Sequence, residues 1–254
     1  MILPDTPPGL VYDAMMGEAE KVGFYLKKHV GVAKKVFYRN GPWQKFHLSN
    51  YVIPSSRNRY LVWSNAKWSK NSFVPDVQWS GALLYINGPK GLDYWIAREI
   101  NDDGRPTNYL FHYTGHFLSR YRERSGIQMG KSTDEVIATF LLRNTGLIFT
   151  LDFEKLQLNS EKYKDGEAMQ VLDGIVFCSI NEMTSPNGHK FVYCKMKTFL
   201  TLSNLKESQS ENVKTYSEMR NYIYNEEMQK RWENHVESLK LHLKSEEKKD
   251  EDIS

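Results

Sequence analysis

Three residues on one short segment are spaced so that they could do chemistry together. In FHYTGHFLSRYRERSGI, Phe111 to Ile127, the side chains His116, Arg120 and Arg124 recur every fourth residue. On a helix, residues four apart are neighbours on one face. An imidazole then stands beside two permanent cations, while Phe117, Leu118 and Tyr121 point elsewhere and can anchor the helix. That set suits RNA cleavage by the RNA's own ribose hydroxyl. A base takes the 2′-hydroxyl proton, and guanidiniums hold the phosphate as negative charge builds on it. Arginine's planar fork matches phosphate oxygens. The same stripe also reads as a solvated basic helix face whose arginines pair with Glu123 or with distant carboxylates.

Other chemistries find less support. His112 and His116 are four apart, a spacing that can chelate a metal, but no carboxylate or third histidine is near them in sequence, so no metal is expected. The chain has no G-x-x-x-x-G-K-[ST], no G-x-G-x-x-G and no G-x-S-x-G. A nucleotide cofactor and a serine-hydrolase elbow are therefore not expected.

Charge supplies a second candidate site. The 254 residues carry a net +3, yet from Lys21 to Pro75 there is no Asp or Glu and there are eleven Lys or Arg. Aromatic residues are interleaved with these cations. Basic grooves with stacking aromatics hold single-stranded nucleic acid without sequence preference. The expected contacts are Lys34, Lys35, Arg39, Lys45, Arg57, Arg59, Lys67 and Lys70, with Trp43, Trp63 and Trp68 as stacking surfaces. The competing reading makes the strand aromatics core and the lysines a wet face.

The elements that must position these residues follow from periodicity. Val11, Met15, Ala19, Val22 and Leu26 predict a helix from Val11 to Lys28, bounded upstream by Pro7-Pro8-Gly9. Runs at 51–53, 59–63, 77–86, 93–100 and 108–113 are rich in aromatic and β-branched residues and read as strands. Turn residues at Asn40-Gly41-Pro42, Asn87-Gly88-Pro89 and Asp102-Asp103-Gly104 separate them. A helix from His116 to Ser125 has Thr114 as its N-cap and ends at Gly126. Ser132 and Glu135 form a capping box for the helix containing VIATFLLRN. LIFTLDF (147–153) is strand-like, and GIVFCSI (174–180) with HKFVYCKMKTFLTL (189–202) read as a hairpin. A polar linker then leads to a long helix from Thr215, with a stripe of Met219, Ile223, Met228, Trp232, Val236, Leu239 and Leu243.

The motif H-x-x-x-R-x-x-x-R-S-G-I, followed by a capped helix and strands ending in KTFLT, resembles the barnase–EndoU–colicin–RelE group of metal-independent RNases and toxin domains, within its RelE/BrnT-like branch. The resemblance covers residues 105–205. It implies His116 and Arg120 as site residues, Arg124 beside the group's Arg-Gly-Ile corner, and Lys197, Thr198 or Thr201 on a last strand facing the helix. Thr198 or Thr201 would be the orienting donor. Ser125 stands where the group usually has arginine, and residues 154–173 read as an insertion.

The sequence thus predicts an α+β protein. Residues 1–104 form an N-terminal helix with an antiparallel sheet. Residues 105–205 form an RNase-like part, two helices packed on a second antiparallel sheet. Residues 206–254 hold the linker, the long amphipathic helix and a charged tail. The expected function is RNA-acting, as a metal-independent endoribonuclease. A non-catalytic nucleic-acid-binding protein and a structural or assembly subunit of phage or mobile-element type are the alternatives. The expected partners are RNA or single-stranded nucleic acid, and a protein or second copy at the C-terminal helix. No cofactor and no membrane contact are expected. With 40% hydrophobic, 13% aromatic and 26% charged residues the composition is that of a globular protein. Cys178 and Cys194 read as buried free thiols or a cross-strand disulfide. No signal peptide is recognisable, and a cytoplasmic location is expected.

Overall fold

The computed structural model describes residues 1–41, 46–67, 76–102, 105–127, 130–144, 149–151, 167–171 and 173–201. The predicted linker and terminal helix, 206–254, lie outside them.

Helix α1 (Pro8–Asn40) opens with Pro8 in its first turn, where a missing N–H costs nothing. It runs twelve residues past the predicted Lys28 end, because His29, Ala33 and Phe37 continue the four-residue spacing of buried positions. Gly41, at φ 72°, ends it with its N–H bonded to the Phe37 carbonyl.

Five strands follow in meander: β1 (Phe46–Val52), β2 (Arg59–Lys67), β3 (Asp76–Gly88), β4 (Gly91–Asp102) and β5 (Arg105–Tyr113). Helices α2 (Gly115–Arg124) and α3 (Thr133–Arg143) come next. Thr114 caps α2 by accepting from the Phe117 N–H, and Ser132 with Glu135 closes the predicted capping box on α3. Each such cap is worth about 1 kcal/mol. The chain ends its described part with β6 (Phe149–Leu151), β7 (Glu167–Val171), β8 (Gly174–Thr184) and β9 (Lys190–Leu200). Strand β7 falls inside the expected insertion. Its burial and its pairing with β8 make it part of the sheet.

Among the described residues the expected second antiparallel sheet is not found. The described strands form one mixed sheet in the order β1-β2-β3-β4-β5-β9-β8-β7-β6. The join is a parallel ladder between β5 and β9, from Tyr109↔Val192 to Tyr113↔Met196. Every other pairing is antiparallel. Parallel neighbours need a long crossover, and everything between Tyr113 and Lys190 supplies it. The boundary expected at 104–105 falls between β4 and β5, two strands that pair from Tyr94↔Tyr113 to Asp102↔Arg105.

Both faces of the sheet are covered, so β2 reads RYLVW without polar alternation. Tyr60 and Val62 face α1, while Leu61 and Trp63 join the core under α2 and α3. That second core centres on aromatic rings. Tyr121 meets Phe140 and Phe199 edge-on, each at 5.0 Å between centroids. Cys178 and Cys194 are buried free thiols. Among the described residues no helix is long and apolar enough to cross a membrane.

Candidate nucleic-acid interface

The acid-free segment begins on α1, and the way α1 is seated decides which of its side chains face water. Glu18 is buried and anchors the middle of the helix. Its carboxylate accepts from the Asn58 amide at 3.0 Å, from the Tyr60 hydroxyl at 2.6 Å and from the Ser56 hydroxyl. Beyond it, Tyr25 stacks on Tyr51 at 4.2 Å and His29 on His47 at 4.7 Å, tying the C-terminal half to β1. His29 is 4% exposed; its Nδ1 lies 2.7 Å from the Ser49 hydroxyl and its Nε2 has no partner among the described residues. Burial, and secondarily the neighbouring His47, push its pKa down to about 4.

With that face buried, the opposite one is solvent-facing and basic. Lys21, Lys27, Lys28, Lys34, Lys35 and Arg39 are all exposed, and no acidic residue lies between Lys21 and Asn40. Two aromatic rings stand out among them: Phe24 is 63% exposed and Tyr38 68%. The Lys28 ammonium sits 4.4 Å from the Phe24 ring centroid. Such a pairing is worth about 0.5–1 kcal/mol at an exposed site.

The rest of the predicted contact set divides. Arg57 is exposed in the turn whose Ser56 donates to Glu18, and it lines a hollow with Met1, Pro4, Ile86 and Asn87, to which α1 contributes no cation. Arg59 lies over the Tyr85 ring at 4.9 Å, on the sheet face that carries α2 and α3. Trp63 is corrected from stacking surface to core, since at 2% exposure its ring touches no solvent. Trp43, Lys45, Trp68 and Lys70 lie outside the described residues, as does the side chain of Lys67.

The α2 stripe forms, with His116, Arg120 and Arg124 on the side away from buried Phe117, Leu118 and Tyr121. Its groups are largely engaged. Arg120 pairs with Glu123 at 2.8 Å, the pairing weighed from the sequence. Arg124 donates to the Phe199 carbonyl on β9. The helix N-terminus already holds an anion, because Asp93 accepts the Gly115 N–H at 2.6 Å. His116 is half-buried, and burial, then Lys90, Arg120 and Arg124, lower its pKa, so it is neutral near pH 7. Lys90, in the β3–β4 turn, is the member of this cluster that sequence spacing could not supply.

The last strand meets the helix differently from expectation. Thr114 donates to the Met196 carbonyl, so β9 does run beneath α2. Phe199 packs under Phe117 and Tyr121. But the β8–β9 register shifts: Cys178 opposes Met196, and Phe177 opposes Thr198. Lys197 is the extra residue of a bulge. Successive strand residues alternate faces, so Thr198, next to inward Phe199, is on the sheet face away from α2. Its expected place beside the stripe is corrected on that ground. Thr201 follows the end of β9, two residues past Phe199.

Sequence reading missed a buried polar chain behind this helix. Asp93 accepts from His112 Nε2 at 3.0 Å, which leaves Nδ1 to accept the Tyr193 hydroxyl at 2.9 Å. Trp95 stacks on His112 at 3.6 Å. Burial outweighs the Asp93 hydrogen bond and lowers the pKa of His112, so the ring is neutral. Both its nitrogens are occupied, which removes it as a chelating partner for His116. The chain clips the start of α2 to β4, β5 and β9.

No protein-family model, no curated protein and no solved structure matches this chain.

Proposed function

We propose that this protein binds RNA or single-stranded nucleic acid along the outer face of α1. One observation carries the reading. Along α1 the acid-free run places Lys21, Lys27, Lys28, Lys34, Lys35 and Arg39 on one exposed side with two exposed aromatic rings, while His29 is turned inward. The cations attract phosphates of any sequence, and affinity comes largely from counterion release. Binding of a labelled oligonucleotide should weaken steeply with salt, with a slope in log–log form of about −0.7 per phosphate contact for a single strand. Charge reversal of Lys28 and Lys35 together should flatten that slope and lower affinity at least tenfold. Undetectable binding at about 50 mM salt would overturn the proposal.

A second reading rests on the α2 cluster. A neutral imidazole among Lys90, Arg120 and Arg124 has the groups a metal-independent endoribonuclease needs, as the resemblance of residues 105–205 to the RNase and toxin group implies. If His116 is the base, His116→Ala lowers cleavage of an unstructured RNA at least about 100-fold, and EDTA changes nothing. Intact RNA after incubation with wild-type protein at pH values from about 5 to 9 would remove it.

A further inference from the structure

The outer face of α1 has an internal order that charge alone does not explain. Leu10, Gly17, Phe24, Gly31 and Tyr38 are seven residues apart, two helical turns each, and so form one column along the helix. The column runs between a row of Lys21, Lys28 and Lys35 on one side and a row of Lys27 and Lys34, preceded by exposed Glu20, on the other. Its glycines are not required by the fold. A Cβ built on Gly17 or Gly31 would meet nothing within 4 Å. Both have helical backbone, where glycine is inferior to alanine. Gly23 is equally open but lies off the column, and nothing in the structure explains it. Along the column, then, bare backbone alternates with a projecting apolar side chain.

We propose that this column is a track for one unpaired polynucleotide strand. Phe24 and Tyr38 are stacking stations for bases, Gly31 is the gap between them where the strand approaches the helix backbone, and the lysine rows hold the phosphates. This rests on the nucleic-acid reading above and names its substrate class. Aromatic rings need exposed base faces, which a single strand offers and a duplex does not. The stations are fourteen residues apart, or about 21 Å along a helix. At a duplex-like rise of about 3.4 Å per nucleotide that distance spans about six nucleotides, and fewer in a stretched strand. A second copy of the chain fits the same relief less well. In an antiparallel pair of α1 helices centred between Lys27 and Lys28, each Phe24 would face a Gly31, but the same register would set Lys27 against Lys28 and Lys21 against Lys34, repulsions that outnumber the attraction of Glu20 for Lys35. Charge selects a polyanion.

The test measures binding of full-length protein to a 12-nucleotide oligouridine, its DNA counterpart oligothymidine, and a mixed-sequence DNA duplex of equal length. Phe24→Ala and Tyr38→Ala are expected to weaken single-strand binding about 5- to 150-fold each, the range that base–aromatic stacking usually spans, and to leave duplex binding unchanged. Both side chains are more than half exposed, so neither change threatens folding. Gly31→Ala is expected to raise the melting temperature and yet weaken single-strand binding, a pair of opposite signs that a purely structural glycine would not give. Affinity should rise with strand length up to about six to eight nucleotides and then level. If Lys28→Glu with Lys35→Glu abolishes binding while the aromatic and glycine variants do nothing, the face is a plain electrostatic surface and the track is wrong. If the lysine variants also do nothing, the nucleic-acid reading itself fails. If Phe24→Ala changes the sedimentation coefficient and not the affinity, the column is a helix–helix interface and the track is again wrong. Equal loss on RNA and DNA marks recognition of bases and phosphates, whereas loss on RNA alone adds a ribose contact.

Discussion

Two basic helices lie on opposite faces of one sheet, and they treat their cations in opposite ways. On α2 the protein engages them itself. Arg120 is held by Glu123, Arg124 by the Phe199 carbonyl, and the helix N-terminus by Asp93. On α1 the six cations from Lys21 to Arg39 project from one exposed side, with exposed Glu20 at its near end. The α2 cations are arginines and those of α1 mostly lysines, and the fold places different neighbours beside them. A guanidinium held by a carboxylate or a carbonyl serves the protein, while a dense row of exposed ammonium groups leaves a positive field that an external polyanion can satisfy.

That contrast can be broken most severely through two phenylalanines. Phe117 on α2 is fully buried and Phe24 on α1 is 63% exposed. Phe117→Ala should cost about 3–5 kcal/mol in a urea titration, whereas Phe24→Ala should stay within about 0.5 kcal/mol. A similar cost for both would mean that the outer face of α1 is covered. Next in size is Glu18→Ala, which strips the Ser56, Asn58 and Tyr60 donors of their acceptor. A loss of about 2–3 kcal/mol is expected, because buried donors left unpaired are expensive. Glu18→Gln, which keeps one acceptor oxygen, should recover part of it.

A pH effect sharpens the comparison further, since a buried histidine seats α1. His29 titrates near pH 4 when folded, below an unfolded value of about 6.5. Above pH 6.5 both states are neutral, and its contribution to stability is complete. As pH falls from about 6.5 to about 4, the unfolded chain takes up a proton that the folded one refuses. Stability should then drop by an amount on the order of 3 kcal/mol. The half-buried His47 is shifted in the same direction and adds to the slope. Urea midpoints across that range should be flatter for His29→Gln; an unchanged slope would place the titration elsewhere. The smallest expected effect is Arg120→Ala. An exposed pair three residues apart contributes under about 0.5 kcal/mol, so thermal melts of variant and parent should nearly coincide.

Much of the fold was legible because it is encoded locally. The capping box at Ser132 and Glu135, the Thr114 cap, and the aromatic strand runs of the N-terminal meander each depend on neighbours within a few residues. The long α1 was underestimated because its second half is anchored through histidine rather than a continuous aliphatic stripe. Strand β7 was hidden by its separation from recognisable neighbours. The candidate sites were legible as composition but not as surface. An acid-free stretch with aromatics is visible in the sequence, but whether Trp63 or Phe24 is the exposed ring depends on which face a distant element covers.

By itself the sequence determined the local pieces, namely the α+β character, the spacing of His116, Arg120 and Arg124, and the seven-residue interval of the column on α1. These need only a helix repeat of 3.6 residues or a strand repeat of two. Tertiary structure alone decided that β9 returns parallel to β5, since pairing over eighty residues leaves no local mark. It also decided where Thr198 faces. Counting by twos from buried Met196 turns Thr198 toward α2. One inserted residue, Lys197, resets the count, puts Phe199 into the aromatic core and sends Thr198 to the other face. The bulge exists only because β8 is alongside to define it, so the parity of the last strand belongs to the sheet and not to its own sequence.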